Sequence, residues 1–399
     1  MQTSINKRTP ARTNRTRVSG QQQRNNNSKK STLNPELLIQ QAVVSSVKAI
    51  TVATRFEEMD LQRQLKANIQ KMGFISPTEI QDKTFDKLVN GANLIGIANT
   101  GTGKTGAFLI PILENLLRNN DRKFQSLIIV PTRELALQVY DEFKKLSEGL
   151  KLRAACYIGG TNIEKDILSL NNYFDLVIGT PGRLLDLRNR GNLKLSKFEV
   201  LVLDEFDKML DMGFIRDIRE LVGGMKQRKQ TLLFSATKDP KQQTIINEIV
   251  SNPFVVEIHS GDQSSKNVEQ DIIKIPEGQD KFKILLDLLA DKDFDKVILF
   301  TETKHLANRL SKKLNNSGVK SDQIHGNKSQ NYRINALEKF KKGSIRVLVA
   351  TDVAARGIDV NNVSLVVNYQ LPKDFDTYIH RVGRTGRAGK TGTAYTFVD

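Results

Sequence analysis

The chain has 399 residues, one cysteine (Cys156), and a formal net charge of +17 from 61 Lys and Arg against 44 Asp and Glu. This length excludes a small disulfide-dependent scaffold, and one cysteine excludes an internal disulfide or a cysteine-based metal site. No apolar run approaches the ~20 residues of a membrane-spanning helix, and no short apolar core follows the basic start as a secretory signal requires. We therefore expect a cytoplasmic protein that contacts no membrane and binds a polyanion.

Residues 1–32 contain eight basic residues and no acidic residue, among Asn, Gln, Ser and Thr. A segment of this composition cannot bury enough apolar surface to fold alone, so we predict a disordered basic tail. Two interpretations stay open, a solubilising segment and a loose tether for RNA phosphates. A mitochondrial transit peptide is a weaker alternative, because Ile5, Ala11 and Val18 make no apolar face.

A helical extension is predicted over residues 33–54. Leu37, Val44 and Val47 recur at helical spacing. Asn34 suits the N-cap and Pro35 the first turn.

From residue 55 onward, short apolar runs alternate with amphipathic stretches, a pattern typical of βαβ units and of parallel sheets buried on both faces. The first series of predicted strands is Leu94–Ala98, Leu127–Val130, Leu176–Ile178, Val200–Leu203 and Leu232–Phe234. The second series is Ile272–Ile275, Val297–Phe300, Val347–Val349 and Leu365–Val367. A polar stretch between the two series predicts a linker over 260–268, which separates α/β domains at 55–259 and 269–399.

The first strand leads into a glycine-rich loop, Asn99-Thr100-Gly101-Thr102-Gly103-Lys104-Thr105. Such glycines let backbone N–H groups and a helix N-terminus face a phosphate, while Lys104 reaches the outer phosphates and Thr105 can ligate Mg²⁺. Ala98 stands where the general phosphate-loop pattern has glycine, but the strand–loop–helix context favours the same function. We therefore predict a phosphate-binding site with a candidate Mg²⁺ ligand here.

Two adjacent carboxylates, Asp204 and Glu205, follow the strand Val200–Leu203. Ligands of open α/β sheets bind at the carboxyl ends of strands, where this pair suits one metal contact and one water-orienting base. Alone, such a pair is usually a solvated turn. Together with the phosphate loop it predicts a metal ligand at Asp204 and a catalytic base at Glu205.

The ordered motifs resemble those of DEAD-box ATP-dependent RNA helicases, within them the bacterial RhlE-like branch, across residues 55–399. The resemblance is carried by the phosphate loop and by Phe56, Gly73–Gln81, Pro131–Ala136, Gly159-Gly160, Thr180–Arg183, Asp204–Asp207, Ser235–Thr237, Gln330 with Arg333, Ala350–Asp359 and His380–Arg387. It implies two RecA-like domains that close over ATP and single-stranded RNA.

The resemblance also implies roles for individual residues around the nucleotide. Phe56 would stack on adenine, Gln81 would bond its edge, and Asp359 would hold the ribose. Arg384 and Arg387 would act as arginine fingers that stabilise charge on the γ-phosphate. Without the resemblance, Phe56 would more often be a core aromatic and Gln81 a surface amide. The pair Arg384 and Arg387 would more often lie on a solvated helix face.

Further residues would bind RNA phosphates without reading the base sequence. These are Pro131, Thr132, Arg133, Gly160, Thr180, Pro181, Gly182, Arg183 and Thr351. A coupling set would connect the nucleotide and RNA sites, namely Asp207, Ser235, Thr237 and His380.

Two features depart from the family pattern. Phe206 replaces the usual alanine beside the carboxylates, for which we expect a repacked strand end and an intact site. The sequence also stops at Asp399, where the family's last strand ordinarily leads into a helix; a shortened chain and a differently closed second domain both stay open.

The resulting prediction is a monomeric enzyme that hydrolyses ATP, locally unwinds short RNA duplexes, and remodels RNA or ribonucleoprotein partners. Two alternatives remain at this stage. One is a hydrolysis-impaired RNA clamp or chaperone, and the other is a related DNA helicase.

Overall fold

The computed structural model describes residues 33–41, 54–99, 101–119, 125–238, 240–258, 267–355, 360, 363–386 and 391–399. The predicted tail lies outside the described residues, as do three predicted site residues, Thr100, Asp359 and Arg387. Within the described part of the chain, no helix has the length and apolarity needed to cross a membrane.

The first domain is built on seven strands. They are β1 (Leu94–Ala98), β2 (Gln125–Ile129), β3 (Ala154–Tyr157), β4 (Leu176–Gly179), β5 (Phe198–Leu203), β6 (Gln230–Ser235) and β7 (Phe254–Ile258). Its helices are α1 (Arg63–Lys71), α2 (Glu79–Val89), α3 (Lys104–Arg118), α4 (Arg133–Leu146), α5 (Ile163–Ser169), α6 (Pro181–Asn189), α7 (Phe206–Asp211), α8 (Ile215–Gly224) and α9 (Pro240–Ile249), with a short 3₁₀ turn at Leu195–Lys197.

All strand pairings of this sheet are parallel, in the spatial order β3-β4-β2-β5-β6-β1-β7. Every residue of β2, β4 and β6 is buried. Apolar side chains cluster on both faces of the sheet, which is why these strands are nearly continuous apolar runs in the sequence.

The second domain repeats the architecture with six strands. They are β8 (Val268–Lys274), β9 (Val297–Phe300), β10 (Ser321–Ile324), β11 (Val347–Ala350), β12 (Leu365–Asn368) and β13 (Gly392–Val398), in the spatial order β10-β11-β9-β12-β13-β8. Its helices are α10 (Lys281–Leu289), α11 (Lys304–Asn316), α12 (Gln330–Lys341), α13 (Asp352–Ala355) and α14 (Phe375–Val382). The prediction of two parallel-sheet α/β domains is therefore confirmed.

Four strands are absent from the sequence prediction: β3, β7 and β10, which lie at sheet edges, and β13, which lies between β12 and β8. An edge strand has a neighbour on one side only, so its sequence needs no continuous apolar run. In β7, for example, the exposed fractions of Phe254 and Val255 are 37% and 48%.

The predicted helix over 33–54 is wrong in its described part. Asn34 accepts a hydrogen bond from Glu36 N and caps a 3₁₀ turn, Pro35–Leu38, as its sequence indicates. The chain is extended at Ile39, and Gln40 pairs antiparallel with Gln270 of β8. This segment therefore packs on the second domain, although it precedes the first in the sequence.

The linker boundary also needs correction. Val268 was placed in the linker over 260–268, but it is the first residue of β8 and is fully buried. Its pairing with Gly392 of β13 places it inside the second sheet.

Candidate nucleotide site and RNA interface

The loop after β1 has the geometry of a phosphate site. Gly101 and Gly103 have φ values of 89° and 90°, in the left-handed region that favours glycine. A Cβ on Gly103 would lie 2.6 Å from Thr78 Oγ1, so a larger residue does not fit. Lys104 begins the 15-residue helix α3, and its Nζ donates to Ala98 O at 2.8 Å. Together the loop and the helix N-terminus offer backbone N–H groups and positive charge to an anion.

Gln81, in the first turn of α2, contacts this loop directly. Its Nε2 donates to Gly103 O at 2.9 Å, and its Oε1 accepts from Thr78 N at 2.9 Å. On the other side of the loop, Thr102 Oγ1 donates to Asn99 O at 2.8 Å. Gln81 therefore links α2 to the phosphate loop, with one amide hydrogen and one oxygen lone pair used in these two bonds.

Asp204 and Glu205 lie at the carboxyl end of β5, and both are buried. Asp204 Oδ1 accepts from Glu205 N at 2.9 Å, and Glu205 has a left-handed φ of 52°. Left-handed backbone is unfavourable for glutamate, and such strain is typical of functional sites. The bend directs two adjacent carboxylates to the same strand end, as the sequence predicts.

The two carboxylates have pKa shifts of opposite direction. Burial raises the pKa of Asp204 to about 6, although the charge of Lys104 opposes this rise. Burial also acts to raise the pKa of Glu205, but the charges of Lys208, Lys104 and Arg384 outweigh it and leave that pKa below its ordinary value. In many active sites, two neighbouring carboxyl groups with different pKa values take different roles in catalysis.

Lys208 is a site residue that the sequence prediction missed. Its Nζ lies 2.5 Å from Glu205 Oε1, and the two side chains are 3% and 5% exposed. Glu205 Oε2 is buried and accepts no hydrogen bond from the described residues. One carboxylate oxygen is therefore fixed by Lys208, and the other is a buried acceptor without a partner among the described residues. The spacing i,i+3 from Glu205 on α7 is a signal that could have identified Lys208.

The coupling residues of the first domain are in contact. Asp207 Oδ2 accepts from Ala236 N at 3.0 Å and from Thr237 Oγ1 at 3.4 Å. Ser235 Oγ donates to Thr237 O at 2.9 Å. These bonds connect the start of α7 to the end of β6, so the predicted coupling residues of this domain form one connected set.

The donors needed for ATP and Mg²⁺ are present. Thr105, in the first turn of α3, offers a hydroxyl, and Asp204 offers a buried carboxylate. Mg²⁺ is commonly bound through one or two carboxylates, with waters and substrate phosphates completing its shell. The unpartnered Glu205 Oε2 is an acceptor for such a water. The residues present therefore fit both groups.

The predicted RNA-binding loops lie side by side because their strands are neighbours in the order β3-β4-β2. Pro131–Arg133 follow β2, Gly160 follows β3, and Thr180–Arg183 follow β4. Thr132 caps α4 by accepting from Leu135 N, and Gly182 is exposed with open space around its Cα. The loops thus combine accessible backbone with the N-termini of α4 and α6.

The Arg133 guanidinium lies against Gly159 and Gly160 of the neighbouring loop. A Cβ added to Gly160 would be 2.6 Å from Arg133 Nη1. Burial lowers the pKa of Arg133, and the positive charges of Arg333 and Arg183 lower it further. Three guanidinium groups therefore lie near these loops, and two of them are paired with carboxylates, Arg183 with Asp166 and Arg333 with Glu134.

In the second domain, two predicted site residues, His380 and Arg384, line a small pocket at the end of α14. Arg384 is 5% exposed, and its Nε donates to His380 O at 3.2 Å. Arg381 forms two bonds to Asp352, of 2.6 and 2.8 Å. Thr351, at the end of β11, is half-buried. The pocket is lined by Phe300, Asp352, Ala355, Thr377, His380, Arg381 and Arg384.

The two domains are joined by buried polar contacts. Arg333 Nη2 lies 3.0 Å from Glu134 Oε2, Gln330 Nε2 donates to Glu134 Oε1 at 3.2 Å, and Arg133 Nη1 donates to Gln330 Oε1 at 3.4 Å. Glu134, Gln330 and Arg333 are 8%, 3% and 8% exposed. We call these three residues the interdomain cluster; none of them was assigned a site role from the sequence.

Comparisons with known proteins agree with this geometry. Residues 78–245 match the DEAD/DEAH box helicase family, and residues 280–389 match the helicase conserved C-terminal domain. The chain is 42% identical over 345 residues to the DEAD-box ATP-dependent RNA helicase CshA of Geobacillus kaustophilus, covering 86% of this chain and 73% of that protein. The chain belongs to the DEAD-box family of ATP-dependent RNA helicases.

Two further relatives extend the comparison. The ATP-dependent RNA helicase CshA of Listeria monocytogenes is 44% identical, with 86% of this chain and 66% of that protein covered. The S. cerevisiae Dbp5 structure bound to RNA and ADP BeF3 has a TM-score of 0.76 and 32% identity, with coverage of 87% of this helicase and 90% of that chain. The helicase therefore spans about two thirds to three quarters of the length of the two CshA relatives.

The structure changes two expectations for this helicase. Phe56 does not present a face for adenine, because its side chain is 2% exposed and packs in the core of the first domain. Arg183 is buried, with Nη1 2.5 Å from Asp166 Oδ2 and Nη2 donating to Thr161 O at 2.7 Å. Its guanidinium therefore holds the neighbouring loop, because these acceptors occupy the donors expected for RNA phosphates.

Proposed function

We propose that this DEAD-box helicase hydrolyses ATP in the cleft between its two domains and uses the cycle to separate short RNA duplexes and remodel RNA. The observation that carries the proposal is the convergence of Lys104, Glu205 and Arg384. The positive charges of Lys104 and Arg384, which belong to different domains, both lower the pKa of Glu205. A site that combines a phosphate loop, a base and a trans-domain arginine is suited to phosphoryl transfer to water.

Each residue has a distinct role in the proposed hydrolysis. Backbone N–H groups of Gly101–Lys104 bind the phosphates, and Lys104 leaves Ala98 O to reach the outer ones. Glu205 orients the attacking water through Oε2, while Lys208 holds Oε1. Arg384 stabilises the charge that develops on the transferred phosphoryl group. Thr105 and Asp204 would hold Mg²⁺, which supplies charge neutralisation between the phosphates when bound.

RNA would bind across the loops after β2, β3 and β4. Thr132, Gly160 and Gly182 offer hydroxyl and backbone groups there, and Arg133 offers positive charge. Such contacts bind the phosphate backbone without reading bases, so we expect low sequence specificity. Thr351 would extend the RNA path onto the second domain.

The proposal also includes roles for Asp359 and Arg387, which lie outside the described residues. Asp359 would hold the ribose and Arg387 would be the second arginine finger. A monomer that acts in the cytoplasm on ribonucleoproteins is consistent with the predicted function. Membership of the RhlE-like branch stays a prediction without support, because the reported relatives carry the name CshA, a different branch.

The hydrolysis-impaired clamp is not favoured. Phe206 is fully buried in the core of the first domain and does not lie over the carboxylates as an obstruction. Lys104, Asp204 and Glu205, to which the proposed hydrolysis gives roles, are all present and buried.

The proposal is tested by phosphate release from the purified chain with no nucleic acid, with single-stranded RNA, and with DNA of the same sequence. We expect stimulation by RNA only. Glu205→Gln should slow the RNA-stimulated rate by about 10²–10⁴-fold, the usual effect of losing a general base, while RNA and ATP binding persist. Equal stimulation by DNA would favour the DNA helicase, and no stimulation by either would refute the proposed function.

A further inference from the structure

Residues 33–41, here called the N-terminal strap, extend the second sheet at its edge. Gln40 N donates to Gln270 O at 2.9 Å, and Gln270 N donates to Gln40 O at 2.8 Å. The side chains repeat the pairing, because Gln270 Nε2 donates to Gln40 Oε1 at 3.1 Å. The strap therefore protects the open edge of β8 with two backbone bonds and one side-chain bond.

Leu38 anchors the strap in the core of the second domain. Its side chain is 2% exposed and belongs to the apolar cluster that includes Val268 and Tyr378. The next residue, Ile39, is 52% exposed. Two neighbouring aliphatic residues of similar size thus lie in opposite environments, which offers a matched comparison.

The strap contacts the helix that leads to the arginine finger. Tyr378 Oη lies 2.9 Å from Gln270 Oε1 and 3.2 Å from Leu38 O, so its hydroxyl hydrogen is shared between the sheet edge and the strap. Tyr378 belongs to α14, an eight-residue helix that ends just before Arg384. About one turn further along α14, Arg381 is bonded to Asp352.

We propose that the N-terminal strap is a positioning element for catalysis: Leu38 and the Tyr378 hydroxyl fix α14, and thereby the place of Arg384 in the nucleotide site. This inference rests on the proposed ATP hydrolysis. An eight-residue helix has little stability of its own and takes its position from tertiary contacts. With Leu38 truncated, α14 keeps the Arg381–Asp352 contact but loses packing on its strap side. Arg384 then lies away from the developing charge.

The first test compares Leu38→Ala with Ile39→Ala in the full chain, measured as RNA-stimulated ATP hydrolysis at a temperature where both are folded. We expect Leu38→Ala to lower kcat by about 10-fold, since small misplacements of catalytic groups have effects of this size or larger. The KM for ATP should change little, because the phosphate loop belongs to the first domain. Ile39→Ala should behave like the unaltered chain.

The second test asks whether the effect passes through Arg384. In an Arg384→Ala background, Leu38→Ala should cause no further loss of kcat, because the group it positions is already absent. Tyr378→Phe keeps the aromatic ring and removes only the hydroxyl, so it tests positioning without a large cavity. We expect it to lower kcat in the same direction as Leu38→Ala.

The outcomes separate this inference from the proposed function. An unaltered chain without RNA-stimulated hydrolysis refutes the proposed function. An active chain in which Leu38→Ala and Tyr378→Phe lower the melting temperature but not kcat overturns the positioning role alone. Additive losses of kcat in the Arg384→Ala background also overturn it, because the strap would then act on another part of the site.

Discussion

At the level of single residues, the candidate nucleotide site is a cluster of buried side chains of both charges, namely Lys104, Asp204, Glu205 and Lys208. Asp204, Glu205 and Lys208 are buried, so burial disfavours the charged form of each, and opposite charges nearby favour it. Burial lowers the pKa of Lys208, whereas the Glu205 carboxylate acts to raise it. A buried ion pair of this kind costs desolvation energy and is weak evidence for stability. The Lys208–Glu205 pair instead fixes the orientation of the Glu205 carboxylate.

Asp204→Asn should stabilise the protein when nucleotide and Mg²⁺ are absent. Because burial raises the pKa of Asp204 to about 6, the folded state holds its proton more tightly than the unfolded state. This group therefore favours the folded state below pH 4 and loses that contribution as the pH rises through 6. Asn should raise the free energy of unfolding at pH 7.5 by on the order of 1–3 kcal/mol, with little effect at pH 4.

The measurement is urea unfolding in EDTA at both pH values, with Asp141→Asn as an exposed control. ATP hydrolysis by Asp204→Asn should be lost because the proposed Mg²⁺ ligand is removed. A variant that is less stable than the unaltered chain at pH 7.5 would contradict the cost assigned to this buried charge.

Phe206→Ala should destabilise the first domain without speeding hydrolysis. The ring is fully buried among apolar side chains, so its removal leaves a cavity and should cost about 3–5 kcal/mol unless the site collapses. Thermal unfolding and low-temperature ATPase assays check this, with Phe254→Ala at a 37% exposed position as control. An unchanged melting temperature with a several-fold faster rate would favour the obstruction account.

At the scale of elements, parallel strands bring distant loops together because their carboxyl ends meet at one edge of the sheet. This edge carries the phosphate loop after β1, the carboxylates after β5 and the Ser235–Thr237 loop at the end of β6, in the order β5-β6-β1. The loops after β3, β4 and β2, which carry the proposed RNA contacts, lie beside it in the same sheet. Asp207, bonded to Ala236 N and Thr237, links neighbouring strand ends across the nucleotide side.

Arg333→Met should weaken ATP-dependent binding of RNA. The Arg333–Glu134 pair joins α12 to α4. Removing Arg333 leaves the buried Glu134 carboxylate without its ion pair. Such a change typically costs about 3–5 kcal/mol, which corresponds to a factor of ~10² or more in an equilibrium constant. RNA affinity measured by fluorescence anisotropy with a non-hydrolysable ATP analogue should fall, whereas affinity without nucleotide should change little. Lys339→Met, at an exposed position of the same helix, is the control.

Glu134→Gln provides the reciprocal test of the interdomain cluster. In the Arg333→Met background it removes the orphaned charge, so it should recover part of the lost affinity. A further loss in the double variant would show that the two residues act independently.

At the scale of the whole molecule, charge is distributed unevenly. The tail over 1–32 holds eight positive charges of the net +17. Deleting it should weaken RNA binding and flatten the dependence of affinity on salt, because fewer counterions are released, while the basal ATPase rate stays the same. Affinities measured across a series of KCl concentrations check this, and an unchanged slope would leave the tail as a solubilising segment.

Two features are predictable from the sequence alone: the residue set of the candidate nucleotide site and the repeat of two parallel-sheet domains. Gly101–Thr105 and Asp204–Asp207 are continuous in the chain, and parallel strands buried on both faces are continuous apolar runs. Local sequence therefore carries both signals. The same reasoning could have found Lys208, which lies one helical turn from Glu205.

The contacts between residues far apart in the sequence are visible only in the tertiary structure. Gln330 reaches Glu134 over 196 positions, and Tyr378 reaches Leu38 over 340. The tertiary structure also shows that Phe56 lies in the core and that Arg183 is bound to Asp166. A side chain's partners depend on which elements pack around it, and nothing in the local pattern of Phe56, Arg183 or Leu38 records that packing.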